Sequence, residues 1–184
     1  VSSCWASPPG MGRNCLPSYE EMKQPTLWKL PPIEADMVYT PAALAKDIIE
    51  WCVPEGPCLD PCAGDFAFFE LLPEPKMWCE LTRGRDFFDY TECVNWIVGN
   101  PPYSIFEQWL EHSFAIADNV AYIIPTNKIF QRTIIMDAIR AWGGIKAMRV
   151  YGSGQRVGFP FGFSVGAFHF AKGWKGHVDL TYGY

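Results

Sequence analysis

The sequence predicts an α/β fold, a mostly parallel, doubly wound sheet with an antiparallel hairpin at one edge. Short apolar runs of strand length alternate with helical segments from Thr40 onward, the pattern of successive strand-helix-strand units. Those runs are apolar throughout, as expected for strands covered on both faces. The last two follow one another with no helix between them, which requires an antiparallel return.

Thr40-Pro41 reads as a cap followed by a first-turn proline, and Leu44, Ala45, Ile48, Ile49 and Cys52 then share one helical face, which Pro54 and Gly56 end. A strand near 57–60 leads into Asp60-Pro61-Cys62-Ala63-Gly64-Asp65, after which residues 66–72 predict a second helix stopped by Pro73. Strands follow at 76–81, 94–99 and 119–124. Between the last two, Ser104 and Glu107 form a capping-box pattern ahead of a helix with Phe106, Trp109, Leu110 and Phe114 inward. A helix over 127–142 ends at Gly143-Gly144, and strands recur at 145–151 and 163–170. Residues 1–36, with prolines at 8, 9, 17, 25, 31 and 32, predict an irregular arm, and 37–184 a single domain.

Ligands of such sheets bind outside the carboxyl ends of the strands, so the turns at 60–65, 80–86 and 100–103 line one rim. The small residues after Asp60 let a ligand approach the backbone. Glu80 follows ~20 residues on, the spacing at which a carboxylate accepts from ribose hydroxyls. Acidic groups here disfavour a pyrophosphate and favour a cationic ligand, so S-adenosyl-L-methionine fits better than a dinucleotide. Asp86-Phe87 offers a carboxylate for an exocyclic amine beside an apolar ring face. Asn100-Pro101-Pro102-Tyr103 leaves an apolar strand as a turn that two prolines make rigid.

These motifs together resemble the gamma-type adenine-N6 DNA methyltransferases, within the Rossmann-like class I methyltransferases. The resemblance spans about residues 39–172. It implies cofactor contacts at Tyr39, Thr40, Pro41, Asp60, Cys62, Ala63, Gly64, Glu80, Leu81, Asp86 and Phe87. It makes Asn100, Pro101, Pro102 and Tyr103 the catalytic turn. The Asn100 side-chain oxygen and the Pro101 carbonyl would hold both N–H groups of an adenine amine, aiming its lone pair at the methyl group. Transfer would be direct, onto a flipped-out base, with Tyr103 and Phe159 stacking on it; Phe161 and Phe163 compete with Phe159 for that role. Cys62 follows a proline, as a cytosine-C5 nucleophile does, but lies in the cofactor turn and is read as packing. Phe66 stands where this family usually has a second glycine: its ring either crowds the cofactor or turns inward against Phe68 and Phe69. A planar amine or amide in RNA guanine or protein glutamine fits the same acceptors. A scaffolding subunit with an impaired pocket is the non-enzyme alternative.

Composition bounds the partners. The chain of 184 residues is 49% hydrophobic with 16% aromatics, enough for a packed globule, and no apolar run reaches the ~20 residues of a membrane span. Residues 1–125 hold seven Lys/Arg against 18 Asp/Glu, a net of −11, whereas 126–184 hold eight against two, a net of +6. That asymmetry permits a DNA face on an acidic molecule, with Lys128, Arg132 and Arg156 as candidate contacts. With no separate target-recognition domain expected, a partner subunit is a candidate source of recognition. The seven cysteines are irregularly spaced, which predicts reduced thiols and no metal site. A soluble intracellular protein, cytoplasmic or nucleoid-associated, is expected.

Overall fold

A computed structural model of the chain describes residues 38–183; the expected arm over 1–36 lies outside them. The described residues form α1 (Ala42–Cys52), β1 (Cys58–Asp60), β2 (Lys76–Trp78), β3 (Val94–Gly99), α2 (Phe106–Ile116), β4 (Ala117–Pro125), α3 (Thr126–Phe130), α4 (Thr133–Trp142), β5 (Gly143–Ser153), β6 (Ser164–Lys172) and β7 (Asp179–Tyr182). The sheet order is β2-β1-β3-β4-β6-β5-β7. Strands β1 to β4 are mutually parallel, β6 runs against both β4 and β5, and β7 is parallel to β5. Only β6 is therefore reversed among the described strands.

The antiparallel pair is present, but it does not form the edge. Strand β6 inserts between β4 and β5, and β7, which the sequence reading missed, flanks β5. Four local expectations also change. After Gly64 there is no second α-helix, only a 3-10 turn at Phe69–Leu71, because Gly64 and Phe66 both adopt positive φ, 49° and 66°, which a right-handed helix cannot carry. Helix α1 is capped by Pro41 itself, whose carbonyl accepts from the Leu44 and Ala45 amides, with no side-chain cap. The helix expected over 127–142 is two helices, broken where Arg132 takes extended backbone, and α2 opens behind a 3-10 turn at Tyr103–Ile105, so that Ile105 rather than Ser104 precedes its first residue.

Alternation along the strands builds two cores, one per face. Ile97, Tyr122, Ile124, Phe168 and Phe170 point to the side covered by α2 and α4. Trp96, Val98, Ala121, Ile123 and Val165 point to the side covered by α1 through Leu44, Ala45 and Ile48. Each fully buried Leu, Ile or Phe contributes about 1.5–3 kcal/mol relative to exposure. The Ser113 and Tyr122 hydroxyls, 2.8 Å apart, satisfy each other within the first core.

Candidate active site

Strands β1 and β3 end side by side, and Gly99 makes that possible. A Cβ at Gly99 would meet Pro61 Cδ at 3.1 Å and Asp60 Oδ1 at 3.2 Å. The 60–65 turn and the Asn100 turn are thereby brought into contact. The Cys62 thiol donates to the Asn100 backbone carbonyl at 2.9 Å, a link across 38 positions. Burial pushes that thiol's pKa up, so it stays a donor rather than a thiolate.

The Asn100 side chain is fixed at both ends. Its Nδ2 donates to the Val38 carbonyl at 3.0 Å, and its Oδ1 accepts from the Tyr103 hydroxyl at 2.9 Å. With Nδ2 committed, the amide cannot flip, and the oxygen is held on the Tyr103 side. Asn100, Val38, Tyr39, Thr40 and the turn residues Cys62 to Asp65 line one small cavity of ≈ 40 Å³. Tyr39 keeps it small: its ring, 57% exposed, lies over Gly64, whose absent Cβ would meet Tyr39 Cδ1 at 2.9 Å. Pro41, next in the chain, packs against Gly158, where a Cβ would lie 2.9 Å from Pro41 Cγ.

Two carboxylates flank the turn. Asp60 is 1% exposed; its Oδ1 accepts from the Cys62 amide at 3.3 Å, and its Oδ2 has no hydrogen-bond partner among the described residues. Burial pushes its pKa up to about 7, with the charge of Glu80 adding to the rise. Glu80 Oε2 accepts from the Gly64 amide at 2.9 Å, and Oε1 from the Thr82 amide and hydroxyl at 3.1 and 2.6 Å. Burial alone would raise the Glu80 pKa, but those bonds and the Arg83 charge hold it below the usual carboxylate value. Three donors on a carboxylate with about four acceptor positions leave one for a ligand.

The remaining candidates divide. Ala63 is buried and Leu81 is 49% exposed on the 3-10 turn Leu81–Arg83. Asp86 caps the next 3-10 turn by accepting from the Phe88 amide at 3.0 Å. Phe87 offers no open ring face: it is 2% exposed and its ring packs against Trp109 and His112, with centroids at 4.5 and 4.7 Å. Phe66 turns away from the cavity. Its ring meets Phe69 and Trp78 edge-on, and the Arg83 guanidinium lies 4.6 Å from its centroid.

Phe159 must also be corrected as a base-stacking ring. It is 3% exposed and covered by Phe161, stacked at 5.0 Å and 21°. Phe163 in turn stacks on Phe161 at 3.9 Å and 6°. Tyr103 meets Phe161 edge-on at 6.3 Å and 71°. Pro101 is buried and Pro102 half-buried beneath the Tyr103 turn. Of the cations, Lys128 is half-buried on α3, Arg132 reaches Glu107 at 3.5 Å, and Arg156 is exposed on a 3-10 turn at Gly154–Val157.

Sequence reasoning did not find Val38, Gly99 or Thr82. Val38 acts through a backbone carbonyl, which no side-chain pattern reports. Gly99 and Thr82 had local signals, a glycine ending a strand and a hydroxyl two residues past the key acid.

No protein-family model matches the sequence, and neither does any curated protein. The fold does have solved counterparts. The methyltransferase subunit of a type I restriction-modification system from Streptococcus thermophilus matches with a TM-score of 0.61 and 12% identity over 79% of this chain and 47% of that one. A protein described as an RNA methyltransferase from Pyrococcus horikoshii matches at 0.59 and 14% identity, covering 78% of this chain and 90% of that one. The M protein of the type I restriction enzyme EcoKI matches at 0.56 and 13%, covering 73% and 44%. The chain thus spans less than half of either restriction-modification subunit. The fold is that of class I methyltransferases. Among the described residues, no helix is long and apolar enough to cross a membrane.

Proposed function

We propose that this chain transfers a methyl group from S-adenosyl-L-methionine to the N6 amino group of adenine in DNA. The observation that carries the reading is Asn100: a catalytic-type amide, locked by Val38, on the wall of the same cavity as the Cys62–Gly64 turn.

The residues present fit the cofactor's chemistry. Among the described residues, the Oδ2 of the buried Asp60 has no hydrogen-bond partner, Glu80 keeps an acceptor position for a ribose hydroxyl, and the side-chain-free face of Gly64 is covered by Tyr39. Because the cavity is far smaller than the ~300 Å³ or more of a typical ligand site, Tyr39 must swing off Gly64 for the cofactor to enter. When bound, the cofactor supplies an electrophilic methyl group.

The chain's residues prepare the amine. Adenine N6 is a poor nucleophile because its lone pair is delocalised into the ring. Asn100 Oδ1 accepts one N–H, sharing or replacing the Tyr103 hydroxyl, and the Pro101 carbonyl accepts the other. The nitrogen would then approach tetrahedral geometry with its lone pair freed for direct attack. As the N–C bond formed, the methyl's bond to sulfur would break to leave a neutral thioether, one N6 proton would pass to solvent, and no bond to the protein would form. Two prolines and the Cys62 thiol hold these acceptors in place before the substrate arrives, so no reorganisation is required at the reacting step. Lys128, Arg132 and Arg156 contact the DNA backbone, either with little sequence preference or beside a partner subunit that supplies recognition.

The test is transfer of a tritiated methyl group from the cofactor to single- and double-stranded DNA. Label on adenine is the expected result. Absence of label on adenine in any DNA overturns the reading, and mass spectrometry of labelled RNA guanine or protein glutamine identifies the alternative acceptors.

A further inference from the structure

The Phe159, Phe161 and Phe163 rings form a stack from the core to the surface, with exposure rising from buried through half-buried to exposed. Phe159 is 3% exposed, Phe161 is half-buried and stacks with both neighbours, and Phe163 is 45% exposed with one face on Phe161. The Phe161 to Phe163 spacing of 3.9 Å at 6° is close to the ~3.4 Å step of stacked bases.

The stack is built into the backbone. A Cβ at Gly154 would lie 2.6 Å from Phe161 Cε2, so only glycine admits the ring there, and the Gly154 amide donates to the Phe163 carbonyl at 2.9 Å. The segment from Gly154 to Ser164 contains Arg156 and no acidic residue, and Arg156 is exposed. Helix α3, carrying Lys128, begins where Pro125 pairs with Val165, two residues past Phe163. Tyr103 touches the side of the same stack.

We propose that the outer face of Phe163 is a platform for an unpaired nucleobase next to the target, and that the chain therefore takes single-stranded DNA in preference to duplex. The inference rests on the methylation reading but concerns a different base and ring. A base inside a duplex has both faces covered by its neighbours, so it cannot extend the Phe163 stack; an unstacked base can, whatever its identity. Arg156 and Lys128 neutralise the adjoining phosphates.

The experiment is fluorescence anisotropy of the full chain, without cofactor, against a short fluorescein-labelled oligodeoxynucleotide and the same strand in a duplex. The parent is expected to bind the single strand more tightly. Phe163→Ala and Phe163→Leu should each lose roughly tenfold on the single strand with little change on the duplex. Phe163→Trp should retain binding, and its fluorescence should be quenched by the single strand. Parent affinity in the Ala or Leu variant, with an unchanged melting temperature, overturns the platform, as does equal or tighter parent binding to duplex. Phe163-dependent binding with no methyl label on adenine keeps the platform and removes the methylation reading. Label on adenine with Phe163-independent binding does the reverse.

Discussion

Asp47 on α1 and Asp60 at the end of β1 are both withdrawn from solvent, and their surroundings are opposite. Asp47 accepts two bonds from Arg149, Nε at 2.7 Å and a terminal nitrogen at 2.8 Å, and a third from the Tyr151 hydroxyl at 2.7 Å. Burial works against its charge, but these bonds outweigh it and hold the carboxyl below its ordinary pKa. Asp60 is more deeply buried; the Cys62 and Phe69 amides pull its pKa down, but burial outweighs them and pushes it up to about 7. Asp47 clamps α1 to β5 and strengthens the fold. Asp60 costs the fold stability, and such a cost is characteristic of a residue kept for a ligand.

The contrast can be broken first at the rim itself. Asn100→Ala should lower methyl transfer about 10²- to 10³-fold, the effect of removing one preorganised polar group, while the melting temperature hardly changes; single-turnover transfer assays read it. An equal loss of stability would mean that Asn100 belongs with Asp47.

Stability against pH separates the two aspartates by sign. Asp60 has a folded-state pKa raised from 3.8 to about 7, so its ionisation is disfavoured by folding: stability is complete below 3.8 and declines as pH rises toward about 7. Asp60→Asn should thus exceed the parent in stability by on the order of 2–4 kcal/mol near about pH 8 and not near about pH 4, by urea denaturation at both. Asp47 is lowered, so its contribution is present above 3.8 and lost as pH falls through the lowered value. Asp47→Ala, which leaves Arg149 half-buried without its carboxylate, should cost about 2 kcal/mol at neutral pH, and the difference from the parent should shrink in acid.

The smallest effect is expected at Phe66. Its ring packs on Phe69, Trp78 and Arg83 outside the cavity, so Phe66→Gly should leave cofactor affinity within about twofold of the parent by calorimetry. A large gain would show that the ring does enter the cofactor's space.

The sheet was legible because buried strands are written as apolar runs: 94–99 was read to the residue, and β4 within two residues at its start and one at its end. The order of the last strands was not, since insertion of β6 between β4 and β5 depends on long-range packing. Strand β7 escaped because Leu180 and Tyr182 are exposed and its pattern carries no core signal. At the site, the sequence located the turns that carry Asp60, Glu80 and Asn100. It could not choose among Phe159, Phe161 and Phe163, because order along a loop does not reveal which ring is outermost. Nor could it show that Phe87 is sealed by Trp109 and His112 from a helix about 20 residues away in the chain.

The most direct measurement is mass spectrometry of nucleosides from single-stranded DNA incubated with the chain and a cofactor carrying a trideuterated methyl group. The parent chain should place a labelled methyl on adenine N6, and Asn100→Ala should all but abolish it. Labelled N6-methyladenine that persists undiminished in Asn100→Ala, or label found on cytosine alone, would contradict it.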